Sequence, residues 1–251
     1  MNKIKEFIRN ISPFNNRTDM PMILYVIKVI LIFWVFKFIS ELGLARPAGS
    51  YFAGAASGAV LLLVSVALTV LAGAIRYNGI FERINTAMVV LMLGGFVFQG
   101  AFEELLCRGV VQQLLQKRSV PAAVVVSAVL FALPHILNMD FSAPAITATA
   151  VLNLILISLV FSLLTIRFRS IWAACGMHSI WNYILYSILG LNLSGNDEIT
   201  AAVFNMSATR ENILNGGAYG IEASIITTAV LGAAVMLLSY RYHDTYDRPG
   251  I

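Results

Sequence analysis

Two carboxylates and a guanidinium, Glu103, Glu104 and Arg108, close a long apolar run that reads "INTAMVVLMLGGFVFQGAFEELLCRG". Two histidines and an amide stand inside later apolar runs: His135 in "VLFALPHILN", and His178 with Asn182 in "AACGMHSIWNYIL". On insertion scales a charge at the centre of a bilayer costs about 2.5–3.5 kcal/mol, so such groups need partners, water or an interface. Helical spacing sorts them. Glu104 and Arg108 are four apart and share a face, which suits an ion pair, while Glu103 is turned about 100° away and lacks that local partner. One carboxylate therefore reads as structural and the other as available. His178 and Asn182 share a face by the same spacing, so the amide can orient the imidazole, or both can meet a neighbouring segment. His135 follows Pro134, whose missing N–H and ring disturb the backbone near Leu130. A membrane tolerates that irregularity only where protein or water satisfies it.

An available carboxylate can act as a general base on water, and imidazole or amide N–H groups can stabilise a tetrahedral oxyanion. Hydrolysis of an acyl bond is thus within reach of this inventory. The same residues support other uses. Glu103, His135 and His178 are acceptable zinc ligands, although the zinc helix H-E-x-x-H is absent. A proton-coupled transporter also places Glu, Arg and His inside a bundle, but it often carries internal repeats, and none is visible here. Each group alone also fits an interfacial or satisfied interior position. Cys107 lies near the glutamates in apolar surroundings, which disfavour a thiolate nucleophile, and both Cys107 and Cys175 fall inside apolar runs where packing is their role.

The elements that carry these residues are membrane helices. Of the 251 residues 59% are hydrophobic and only 12% charged, more apolar than a soluble core requires. Apolar stretches cover Met22–Ile39, Phe52–Ile75, Ala87–Ala101, Pro121–Leu137, Ile146–Ile166, Ile171–Leu189 and Ile221–Tyr240. Most approach the roughly 20 residues that a bilayer crossing needs. The first carries Lys28 and Lys37 and no small-residue cleavage site, so it is retained as a membrane helix and not removed as a signal peptide. The net charge of +4 comes mainly from Lys and Arg flanking helices, an orientation signal and not a nucleic-acid footprint.

Fold class is therefore all-α, a polytopic transmembrane bundle. Its domains are a basic segment 1–20, a helical bundle 21–240 and a polar tail 241–251. A single helix from Ala87 to Gln116 would be roughly 45 Å long against a hydrocarbon thickness of about 30 Å. A reversal near Gly100 would also bring Lys117, Arg118, Arg167, Arg169, Arg241 and Arg248 to the same side as the basic amino terminus. This favours eight segments with both termini cytoplasmic; seven is the alternative. The stretch from Asn192 to Gly220 is rich in Gly, Asn and Ser and reads as an extramembrane loop.

Taken together and in order, "EELLCR" (Glu103, Glu104, Arg108), "FALPH" (Phe131, His135) and "HSIWN" (His178, Asn182) resemble the three motifs of the CAAX-protease and bacteriocin-processing (CPBP, Abi) family of intramembrane endopeptidases. Cys107 stands where that family often has an aromatic residue. The resemblance implies a core at about 85–190 within the bundle and hydrolysis of a peptide bond in a membrane-embedded polar cavity; no cofactor is expected, with zinc as the alternative. It makes Glu103 the base and His135 the group that positions the water. His178 and Asn182 would form the oxyanion site, with Glu104 and Arg108 as a supporting ion pair. It also implies membrane lipid and a hydrophobic or lipidated peptide as partners, and the short loops suit a bacterial plasma membrane. A catalytically silent immunity or binding protein on the same scaffold is the remaining alternative.

Overall fold

A computed structural model describes residues 43–44, 46–196 and 201–246. The apolar run Met22–Ile39, with Lys28 and Lys37, and the basic segment before it lie outside the described residues. Among the described residues six helices succeed one another: α1 (Pro47–Leu71), α2 (Thr86–Gln116), α3 (Val120–Leu137), α4 (Pro144–Phe168), α5 (Trp172–Tyr183, prolonged by a π-helical turn Ile184–Ile188) and α6 (Ile225–Tyr246). The first four are long and apolar enough to cross a membrane, and the fold is a membrane helix bundle.

Local chemistry sets the helix starts. Pro47 and Pro144 open α1 and α4 at positions where a missing N–H costs nothing. The Asn85 side chain accepts from Met88 N at 3.1 Å at the head of α2, and Ser119 Oγ accepts from Ala122 N at 3.3 Å at the head of α3. Arg169, left-handed at φ 49°, ends α4, and Ser170 N donates back to Thr165 O at 3.1 Å.

Helix α5 is the centre of the bundle, with residues 173–179 all buried, and it packs most extensively on α1 and then on α2. Small residues permit the first contact. A Cβ on Gly54 of α1 would stand 1.8 Å from Ala173 O, and one on Gly176 of α5 would stand 2.1 Å from Tyr51 O. Backbones this close give the packing that apolar side chains cannot supply in lipid, where there is no hydrophobic drive between helices.

The expected reversal near Gly100 does not occur. Helix α2 runs without a break through Gly94, Gly95 and Gly100 to Gln116, 31 residues in all. The glycine has a packing role instead: a Cβ on Gly100 would lie 2.7 Å from Ser179 Oγ, so its absence lets α2 approach α5. The turn-back argument for eight segments is thereby removed. By the alternation of the helices, Arg46, Lys117, Arg118, Arg167 and Arg169 share one end of the bundle.

Part of the segment expected as an extramembrane loop, Asn192 to Gly220, has regular structure. Ile75–Ile80 (β1) pairs antiparallel with Phe204–Ala208 (β2), in register Ile75 to Ala208 and Tyr77 to Met206, with an irregularity before Ile80 where Gly79 has φ 110°. Asn215 is the hub of the chain between β2 and α6. Its Nδ2 donates to Ala74 O at 3.0 Å and to Arg210 O at 2.7 Å, while its Oδ1 accepts from Asn212 N at 3.1 Å and Gly217 N at 3.0 Å. Two 3-10 turns, Gly217–Tyr219 and Ile221–Ala223, then lead into α6. Polar side chains closing on backbone groups, and not apolar periodicity, fold this segment, so a hydropathy reading passes over it. Helix α6 itself runs six residues past Tyr240, into the expected polar tail.

Candidate active site

The middle of α2 departs from α-helical form just where its charged residues begin. Leu105–Gln112 is π-helical, a widening that is common at functional sites. It takes in Cys107 and Arg108, and Ser127 Oγ of α3 donates to Cys107 O at 3.0 Å.

Glu104 and Arg108 are both fully buried, with Arg108 Nη1 3.0 Å from Glu104 Oε2 and 3.1 Å from Oε1. The guanidinium is held from two further directions. Its Nη2 donates to Ser158 O at 3.0 Å and to Ser158 Oγ on α4. Its carbon lies 4.9 Å from the Phe131 ring centre and 5.1 Å from that of Phe161, distances at which a cation is attracted to an aromatic ring.

His178 joins this layer from α5. Its Nδ1 is 3.1 Å from Glu104 Oε1, and its ring stacks on Phe161 at 5.2 Å. Because a carboxylate only accepts, Nδ1 carries the proton, which turns Nε2 the other way. That nitrogen stands 4.0 Å from Glu103 Oε2. Glu104, and not Asn182, therefore orients the imidazole.

Glu103 has a different setting. Its Oε1 accepts from Gln99 Nε2 at 3.0 Å, and 27% of its side chain is open. It lines a cavity of about 620 Å³ together with Phe102, Leu106, Cys107, Phe131 and His135. A second cavity of about 400 Å³ is lined by Gln99, His178, Asn182 and Glu222 among others, and Phe131, His135 and Ser194 belong to both. His135 Nδ1 is 2.9 Å from Phe131 O, so it donates to that carbonyl and leaves Nε2 as an acceptor.

Thus Glu104, Arg108 and His178 form one bonded layer, Glu103 and His135 share the first cavity, and His135, His178 and Asn182 share the second. Among the described residues, no group of three His, Cys, Asp or Glu side chains is placed to hold a metal ion. Residues 85–184 match the family described as type II CAAX prenyl endopeptidase Rce1-like. This segment is similar to the CAAX-protease family. Every residue named above from its motifs, Glu103 to Asn182, lies inside the matched CAAX-protease segment. No curated protein and no solved structure matches the chain.

Sequence reasoning passed over several members of the site. Gln99 stands one turn before Glu103, and that spacing alone could have named it as the missing partner. Ser158, Ser127, Ser194, Tyr219 and Glu222 come from α4, α3 and the segment after α5, and nothing in their local sequence points at the cavities. Ser194, Tyr219 and Glu222 fall outside the CAAX-protease segment.

Proposed function

We propose that the chain is an intramembrane endopeptidase that hydrolyses a peptide bond of a hydrophobic or lipid-linked peptide, with water activated by Glu103. The observation that supports this most is the contrast between neighbouring carboxylates: Glu104 is fully buried and bound to Arg108 and His178, while Glu103 opens on a cavity that it shares with His135. A general base must reach its water and have no cation committed to it. Glu103 opens on the cavity, and its hydrogen-bonded partner is the neutral amide of Gln99, with His178 Nε2 4.0 Å away. His135 Nε2 accepts a hydrogen bond from the same water and so fixes its position.

Attack on the peptide carbonyl puts negative charge on its oxygen, and donors already in place stabilise that charge best. Asn182 offers an amide N–H to the second cavity, and His178 offers Nε2 once that nitrogen carries a proton. Two carboxylates against one guanidinium leave a single negative charge, which a proton on His178 neutralises. After attack the proton taken by Glu103 passes to the leaving amine. No step in this scheme calls on a metal.

The test is cleavage by purified protein in lipid or detergent of a peptide library read by mass spectrometry, with Glu103→Ala alongside and a second arm after exhaustive chelation. Products that require Glu103 and persist after chelation are expected. Products unchanged in Glu103→Ala would remove the assignment of the base. Loss on chelation that zinc alone restores would replace this mechanism with a metal-based one.

A further inference from the structure

We infer that Glu222, outside the CAAX-protease segment, is a positioning residue that latches the wall shared by the two cavities. The inference rests on the protease reading of the site. Glu222 lies in the short 3-10 turn before α6, and its carboxylate accepts three hydrogen bonds from two other elements. Trp181 Nε1 of α5 donates to Oε1 at 3.2 Å, while Ser194 donates to Oε2 through its N–H at 2.8 Å and its Oγ at 2.9 Å. Asn153 Nδ2 of α4 holds the turn itself by donating to Glu222 O at 2.8 Å.

The placement of those donors gives the latch its meaning. Trp181 directly precedes Asn182, and Ser194 lines both the cavity of Glu103 and the cavity of His178 and Asn182. A carbonyl polarised by Asn182 and attacked by water from Glu103 must lie across that junction. Ser194 is held in the left-handed region at φ 50°, which a residue with a Cβ keeps only when its surroundings hold it there. Glu222 supplies two of the bonds that do so. The turn is stitched further by Gly195 N to Tyr219 O at 3.0 Å and Asn192 Nδ2 to Ala218 O at 3.2 Å. A Cβ on Gly220 would lie 2.6 Å from Asn192 O, so the two strands of chain meet closely. Glu222 touches no reacting atom in this scheme. It acts through Ser194 and Trp181, setting where the substrate backbone lies between base and oxyanion donors.

Glu222→Gln separates this role from a general contribution to folding, because the amide keeps the shape but its NH2 is unable to accept from Ser194. Glu211→Gln, an exposed carboxylate of the same segment, is the control. Two readouts are compared per folded protein: hydrogen exchange of the peptide containing Ser194, and the rates and sites of cleavage of one peptide. In Glu222→Gln exchange at Ser194 is expected to rise on the order of 10-fold. Turnover should fall by about 10-fold, chiefly in kcat, with new products cut at neighbouring bonds. Glu211→Gln should change neither. Unchanged exchange at Ser194 would overturn the latch. Faster exchange with unchanged kcat and cleavage sites would overturn the positioning role. If wild-type protein shows no cleavage that depends on Glu103, the protease reading fails, and the exchange arm alone then decides whether the latch exists.

Discussion

The carboxylate of Glu104 meets an arginine and a histidine inside the bundle with no exposure at all, while that of Glu103, one residue earlier, meets a single glutamine amide and keeps 27% of its side chain open to a cavity. Successive residues of a helix point about 100° apart, so a pair of neighbours can serve two different surfaces. Here one glutamate faces α4 and α5, whose Ser158 and His178 complete its layer, and the other faces the space against α3. The bonded layer supplies a fixed charge environment, and the open site next to it supplies reactivity. A buried charge that is fully partnered is expensive to disturb and chemically quiet; a partly open one with a neutral partner is the reverse.

The largest expected effect lies on the bonded side. Arg108→Ala leaves Glu104 buried without its cation and should lower stability by about 3–5 kcal/mol, read as the shift in the unfolding midpoint in detergent. Glu103→Gln should leave that midpoint unchanged. Replacing both partners, Glu104→Leu with Arg108→Met, should recover much of the stability while turnover stays lost, since His178 no longer has its carboxylate. Equal stability of Arg108→Ala and wild type would erase the distinction between the two glutamates.

The next effect is on chemistry. His178→Ala and Asn182→Ala each remove a group assigned to the oxyanion, so kcat should fall by about 10²–10³ with KM little changed. His135→Ala should be severely impaired as well, through the water. A variant that raises only KM would reassign its residue from the reaction to substrate binding. Smaller again is Ser127→Ala, which removes the bond from α3 to Cys107 O in the π-helical stretch and should cost about 1 kcal/mol of stability. A cost confined to the α2 and α3 peptides in hydrogen exchange would show that the widened turn leans on α3.

The smallest expected effect is a pH dependence at the end of α3, where His135 is carried. The Ser142 hydroxyl and N–H donate to Asp140 at 2.7 and 2.9 Å, and these bonds hold its carboxyl below the usual range. A carboxyl with a lowered folded value stabilises the turn above its unfolded pKa and loses that contribution as the pH falls through the folded one. Amide exchange across residues 138–143 should therefore quicken in acid, and Asp140→Asn should remove the dependence.

Much of this contrast is legible in the sequence. The four-residue spacing that pairs Glu104 with Arg108 and leaves Glu103 apart is a property of any helix, and the apolar runs place α1, α3, α4 and α5 within a few residues of their ends. The features that were not legible depend on contacts between distant segments. Gly100 reads equally as a break or as a close-packing site, and only the position of Ser179 decides for packing. The orientation of His178 was legible as a need for a partner, but Asn182 and Glu104 are both in reach by sequence and the fold chooses Glu104. The latch at Glu222 joins residues 28 and 41 positions apart through hydrogen bonds, and no periodicity carries such a signal.

The most direct measurement sets Glu103→Gln beside Glu104→Gln, comparing folded yield and turnover of the same peptide per folded molecule. Glu103→Gln is predicted to fold as wild type and to lose turnover by about 10² or more, since it keeps shape and removes a proton acceptor. Glu104→Gln should instead fold poorly, because Arg108 is left as an uncompensated buried cation. Wild-type turnover in folded Glu103→Gln protein would contradict the assignment of Glu103 as the base.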